Sequence, residues 1–124
     1  MLKFYDADDT KGSVSVYESH ITFNKSMLNY LKDAYRVRIG IDSEDFKVYI
    51  FMYDKDQALS GEFKETSLLK LSISKTYARV SSRAVVNYFL ETFNLKLPES
   101  GFLKYEALYD ELKKAIVFSV GGVK

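Results

Sequence analysis

The chain has 124 residues, 47% of them hydrophobic and 28% charged, with one Pro, six Gly and no Cys. These values fit a single domain spanning 1–124 and exclude disordered or collagen-like chains; a disulfide and a thiolate nucleophile are excluded with the Cys. Eighteen Lys+Arg face seventeen Asp+Glu, so the net charge of +1 names no partner. No stretch approaches the ~18 apolar residues of a membrane helix, and MLKFYDADD lacks the features of a signal peptide, so the expected setting is cytoplasmic and without a membrane. Ten Tyr and nine Phe bias the chain towards strands, where aromatic rings fit a pleated, half-buried surface.

Residues 1–12 read as a polar, flexible lead-in. From Ser13 the pattern alternates, with Val14 and Val16 on one face and Ser13, Ser15 and Tyr17 on the other. A turn at Glu18-Ser19 and a second alternating run, His20-Ile21-Thr22-Phe23, complete a hairpin. Ser26 is placed to cap a short helix over 26–34, with Met27, Leu31 and Ala34 at helical spacing. Strands are predicted at 35–41 and 46–53, joined by the polar turn Asp42-Ser43-Glu44-Asp45; the second is apolar on both faces and reads as central or covered. Residues 56–68 have the composition of a connector.

The order then recurs. Leu69, Leu71 and Ile73 alternate, and 77–80 forms the returning strand. Ser81 or Ser82 caps a longer helix over 82–94 with Val85, Val86, Phe89, Leu90 and Phe93 on its apolar face. The run Leu97-Pro98-Glu99-Ser100-Gly101 stops it, and strands at 105–109 and 115–120 follow. The expected core comprises Val14, Val16, Ile21, Phe23, Leu31, Val37, Ile39, Ile50, Leu71, Ile73, Val85, Phe89, Ile116 and Phe118.

Two copies of hairpin–helix–hairpin, 13–55 and 69–120, thus frame the connector. A shift of 57 residues carries Val14 onto Leu71, Val16 onto Ile73 and Phe23 onto Val80. A shift of 68 carries Asp42 onto Asp110, and a second turn one residue shorter would bring Lys47 onto Lys114 and Phe51 onto Phe118. Each half is too small to bury its apolar faces alone, and pairing with its copy is the natural remedy. The predicted class is β-rich α+β. It is a pseudo-two-fold barrel or sheet of two repeats with two helices packed on it; the alternative is an open antiparallel sheet with both helices on one face.

The first half runs from His20-Ile21-Thr22-Phe23-Asn24-Lys25 through the helix, then Tyr35-Arg36-Val37-Arg38-Ile39-Gly40-Ile41-Asp42 and Lys47-Val48-Tyr49-Ile50-Phe51. It resembles the AbrB/SpoVT/MazE family, in which a strand ending in an ITIPK-like motif leads through a short helix to a hairpin. The resemblance covers 13–55 best and extends to 69–120. It implies a swapped-hairpin β-barrel, with both halves carried by one polypeptide, and a DNA-binding regulator or antitoxin-like accessory protein. The family's Pro is replaced by Asn24 and Ser81, and its basic helix positions fall on Leu28 and Asn29.

The residues themselves supply one charge feature. No acidic residue occurs between Glu65 and Glu91, while Lys70, Lys75, Arg79 and Arg83 all do. Strand parity puts Lys70 and Arg79 outwards, with Lys25, Arg36 and Arg38 as extensions of a phosphate-binding face. A plain solvated sheet face explains the same charges. No catalytic site is expected: His20 is the lone histidine, too few ligands exist for zinc, and neither a nucleophile elbow nor a phosphate-binding Gly loop occurs. The acidic run at 6–9 fails as a calcium loop, because Lys11 and Tyr17 stand where Gly and Glu are required. The expectation is a non-enzymatic protein, without cofactor or metal, whose partner is DNA. The competing class is a protein-interaction module that uses Tyr49, Phe51 and Tyr53. Monomer and homodimer are both compatible with the sequence.

Overall fold

Period-two alternation organises most of the chain, and the computed structural model describes residues 11–121. Eight strands follow one another: β1 (Ser13–Tyr17), β2 (His20–Asn24), β3 (Arg36–Asp42), β4 (Lys47–Tyr53), β5 (Ser72–Ile73), β6 (Tyr77–Ser81), β7 (Phe102–Asp110) and β8 (Ala115–Ser119). The helices among the described residues are short: α1 (Leu28–Leu31), α2 (Lys55–Ala58) and α3 (Arg83–Thr92), with 3-10 turns at Lys25–Met27 and Glu65–Ser67. The acidic run at 6–9 and most of the expected lead-in lie outside the described residues. No helix among the described residues is long and apolar enough to cross a membrane.

The strands form one antiparallel sheet in the order β3-β4-β8-β7-β1-β2-β6-β5, curled into a half-barrel. Two hydrogen bonds tie its β3 edge to the run before β5: Val37 N donates to Leu69 O at 3.0 Å and Leu69 N donates to Val37 O at 2.8 Å. The concave side holds the core. Val14, Val16, Ile21, Phe23, Ala78 and Val80 fill it from one end of the sheet, and Val37, Val48, Ile50, Ile116 and Phe118 from the other. Leu31 of α1 and Val86 and Phe89 of α3 close over them. Ser82 caps α3, its side chain accepting from Val85 N at 3.2 Å.

Several expectations need correction. The predicted helix 26–34 shrinks to a 3-10 turn and the single turn of α1, and the residue before that turn is Asn24, not a capping Ser26. Asn24 is used elsewhere: its Oδ1 accepts from Ser13 N and its Nδ2 donates to Lys11 O, which holds the start of β1. The run 69–74 pairs in register with β6 at Ser72 and Ile73, with Ser74 N donating to Tyr77 O at 2.8 Å, while Leu69 bridges to Val37 on the far edge. No described residue covers this edge strand, so Ile73 is 43% exposed rather than buried. Ile39, Leu71 and Val85 are half-buried at the margin of the core.

The two long hairpins turn alike. Asp42 Oδ1 accepts from the amides of Glu44 and Asp45, and Asp110 Oδ1 accepts from those of Leu112 and Lys113. Phe46 and Lys114 then take the left-handed conformation, with φ of 55° and 54°. The second turn is therefore not one residue shorter. A shift of 68 holds through it, so Lys114 matches Phe46 and Phe118 matches Ile50.

Candidate nucleic-acid interface

The convex face of β1, β2 and β6 is built from the alternate residues that the core does not use. Its side chains are Ser13, Ser15 and Tyr17 from β1, His20, Thr22 and Asn24 from β2, and Tyr77, Arg79 and Ser81 from β6. Most of them line a cleft of about 460 Å³. Arg79 stands opposite Thr22 in the β2–β6 register, and it also borders a smaller cleft of about 190 Å³ shared with Ser72, Ser74 and Ser81. Its Nε is buried and has no hydrogen-bond partner among the described residues. A guanidinium ringed by hydroxyls is a donor set suited to an oxyanion such as a phosphate, which would meet Arg79 at its terminal nitrogens because Nε is out of reach.

His20 shares this face. Its ring stacks on Tyr17 with centroids 4.5 Å apart, and Tyr17 leans on Phe102 at 5.2 Å. Burial, and secondarily the Arg79 charge, hold the His20 pKa below its ordinary 6.5. At neutral pH the imidazole is therefore uncharged, and Arg79 carries the positive charge of the cleft.

The expected basic set divides. Lys75 lies exposed in the β5–β6 turn, and Lys25 follows the Asn24 that pairs with Tyr77, so both flank the Arg79 face. Arg83 is not free: its Nη1 lies 2.7 Å from Glu18 Oε1 in an exposed ion pair. Arg36, Arg38 and Lys70 gather at the seam where β3 meets the run before β5, and Arg36 and Lys70 line a different pocket. Sequence reasoning missed Lys104, which stands opposite Ser15 and so shares the convex face. It also passed over the hydroxyl lining, although the parity of Ser13, Ser15 and Thr22 was there to signal it.

The aromatic surface of the competing reading is partly consumed within the protein. Tyr53 packs on Phe63 of the connector with ring centroids 4.5 Å apart, Tyr49 contacts Phe51, and the Lys113 ammonium lies over Tyr49. Among the described residues no group of His, Cys, Asp or Glu could hold a metal ion. Comparison of the chain with protein-family models, curated proteins and solved structures gives no match.

Proposed function

We propose that this chain is a non-enzymatic, AbrB-like DNA-binding protein that carries both halves of a swapped-hairpin barrel in one polypeptide, acting as a regulator or an antitoxin-like accessory factor. The strand pairing supports this reading. Hairpins β1–β2 and β5–β6 meet through β2 and β6, and hairpins β3–β4 and β7–β8 meet through β4 and β8, so each half completes its sheet with the other. A shift of 57 residues turns the pair His20↔Ser81 into Tyr77↔Asn24, another pair of the same register, with Thr22 and Arg79 at the centre. A shift of 68 likewise turns Lys47↔Ser119 into Ala115↔Phe51. The bridge between Val37 and Leu69 stands where the β1–β7 pairing would recur, though slipped by two residues.

The observation that carries the functional part is Arg79 at the centre of a hydroxyl-lined face flanked by Lys25, Lys75 and Lys104. Such a surface suits the phosphate backbone, which guanidinium, ammonium and hydroxyl donors hold without reading sequence. The test is binding of a short DNA duplex at low salt, followed by fluorescence anisotropy, with Arg79→Gln as the comparison. Weaker binding by the variant, and loss of binding as salt rises, are expected. Absence of binding at low salt overturns the reading. It would favour the interaction module, for which Leu108, 67% exposed on β7, offers an apolar contact.

A further inference from the structure

The seam of the half-barrel holds a second cleft, of about 440 Å³, roofed by the connector. The connector is locally tied at both ends. Asp54 and Gln57 form a reciprocal capping box at α2, and the Ser67 hydroxyl donates to Lys64 O at 2.7 Å. Between them Gly61, at φ 84°, turns the chain over the cleft in a conformation that a side chain would strain. The floor is Tyr35 and Arg36 at the start of β3, and the opposite wall carries Lys70, one residue past the Val37–Leu69 bridge.

The lining combines three chemistries. Leu59 is 65% exposed although it borders the cleft, so it offers apolar surface that no described residue covers. Phe63 and Tyr35 add aromatic walls. Both rings already take cations: the Arg38 guanidinium lies 4.7 Å from the Phe63 centroid, and that of Arg36 lies 4.2 Å from the Tyr35 centroid. Two cations, Arg36 and Lys70, face a single carboxylate, Glu65, in the lining. The size falls in the range of small-molecule sites, and polar and apolar surface share the lining in similar parts.

We propose that this cleft binds a small aromatic carboxylate: a flat ring system, of one or two fused rings, bearing one anionic group. The ring lies against Leu59 and Phe63, and the carboxylate sits between Arg36 and Lys70. An anionic group answers the cations around the cleft, where Arg38 on Phe63 and Lys55, 6.0 Å from the Tyr35 centroid, add to Arg36 and Lys70. The ligand would touch both sides of a seam held by two backbone hydrogen bonds, so binding should also raise the melting temperature of the chain. This inference does not rest on the DNA-binding reading, because Arg79 is no part of the cleft.

The test is a calorimetric titration of the full chain with 1-naphthoate, using 1-naphthalenemethanol as the neutral analogue and adenosine monophosphate as the phosphate probe. Naphthoate should bind and raise the melting temperature, and the neutral analogue should bind at least about tenfold more weakly. Lys70→Met and Leu59→Ser alter exposed side chains, and each should weaken naphthoate by about tenfold while the circular dichroism spectrum stays unchanged. Arg79→Gln should leave naphthoate binding intact, so failure of the DNA reading and failure of this one are separable. Absence of naphthoate binding at millimolar concentration overturns the proposal. So does equal affinity for the neutral analogue, indifference to both substitutions, or a preference for the monophosphate.

Discussion

Arg79 and His20 lie on adjacent strands of one outer face, and the charge of the first depresses the protonation of the second. Burial is the larger cause and Arg79 the smaller. Replacing Arg79 by Gln should therefore move the His20 pKa up towards 6.5 without reaching it, since the burial remains. Because His20 is the only histidine, its ring protons give an unobstructed NMR titration. A bound phosphate that neutralises Arg79 should shift the titration in the same direction. The sign of the stability effect follows from linkage. A folded pKa below the unfolded value means that the unfolded chain binds more protons, so stability declines as pH falls below about 6.5, less steeply in the Arg79→Gln variant. An unmoved titration in that variant would show that Arg79 and His20 do not sense each other. The face was only half legible from the sequence. The acid-free window pointed to Arg79, but it placed equal weight on Arg83, which Glu18 neutralises from 65 residues away. No local pattern announces a contact of that range. Arg36 and Lys70 were singled out for the same DNA face, yet they meet across a seam that depends on how the sheet curls.

At the level of elements, α3 was legible because its cap and apolar spacing act locally. Ser82 caps it, and Val86 and Phe89 recur on one buried face. Phe89 contacts Phe93, Tyr105 and Phe118, with ring centroids 5.5 to 6.2 Å apart, so it joins the helix to β7 and β8. Phe89→Ala should cost about 3–5 kcal/mol in chemical denaturation, from lost transfer energy plus the cavity left behind. A loss well under 1 kcal/mol would mean that the ring is not a keystone of the core. The long hairpin turns make a paired prediction. Asp42→Ala and Asp110→Ala each remove two local acceptor bonds at matched positions, and each should cost about 1 kcal/mol. Markedly unequal costs, measured by the same denaturation, would argue against equivalent halves. The elements that sequence reasoning misjudged are those whose extent is set from outside. β5 is two residues long while Leu69 bridges to Val37, and α1 stops early because Tyr35 N must reach Tyr53 O at 2.8 Å. Both limits are tertiary, and period-two or helical spacing cannot report them.

For the whole molecule, an almost neutral net charge means that any affinity for DNA must come from where the charges lie. Lys25, Lys75, Arg79 and Lys104 flank or occupy the convex face, with Glu106 beside Ser13 as the opposing charge. Four phosphate contacts would each release counterions, giving a slope of log affinity against log salt of about −3 to −4. Arg79→Gln removes the central contact, so the slope should become shallower by about 1, and binding should weaken alike on every sequence tried. Arg83→Ala provides the discriminating control. Its guanidinium is held by Glu18 and both side chains are largely exposed, so the substitution should leave the slope unchanged and alter stability by less than about 1 kcal/mol. Anisotropy titrations at several salt concentrations measure all three proteins on one axis. If Arg83→Ala flattens the slope and Arg79→Gln does not, the phosphate contacts run along the start of α3 instead. The hydroxyl-lined cleft would then be a solvated surface, and Arg79 would have no part in holding DNA.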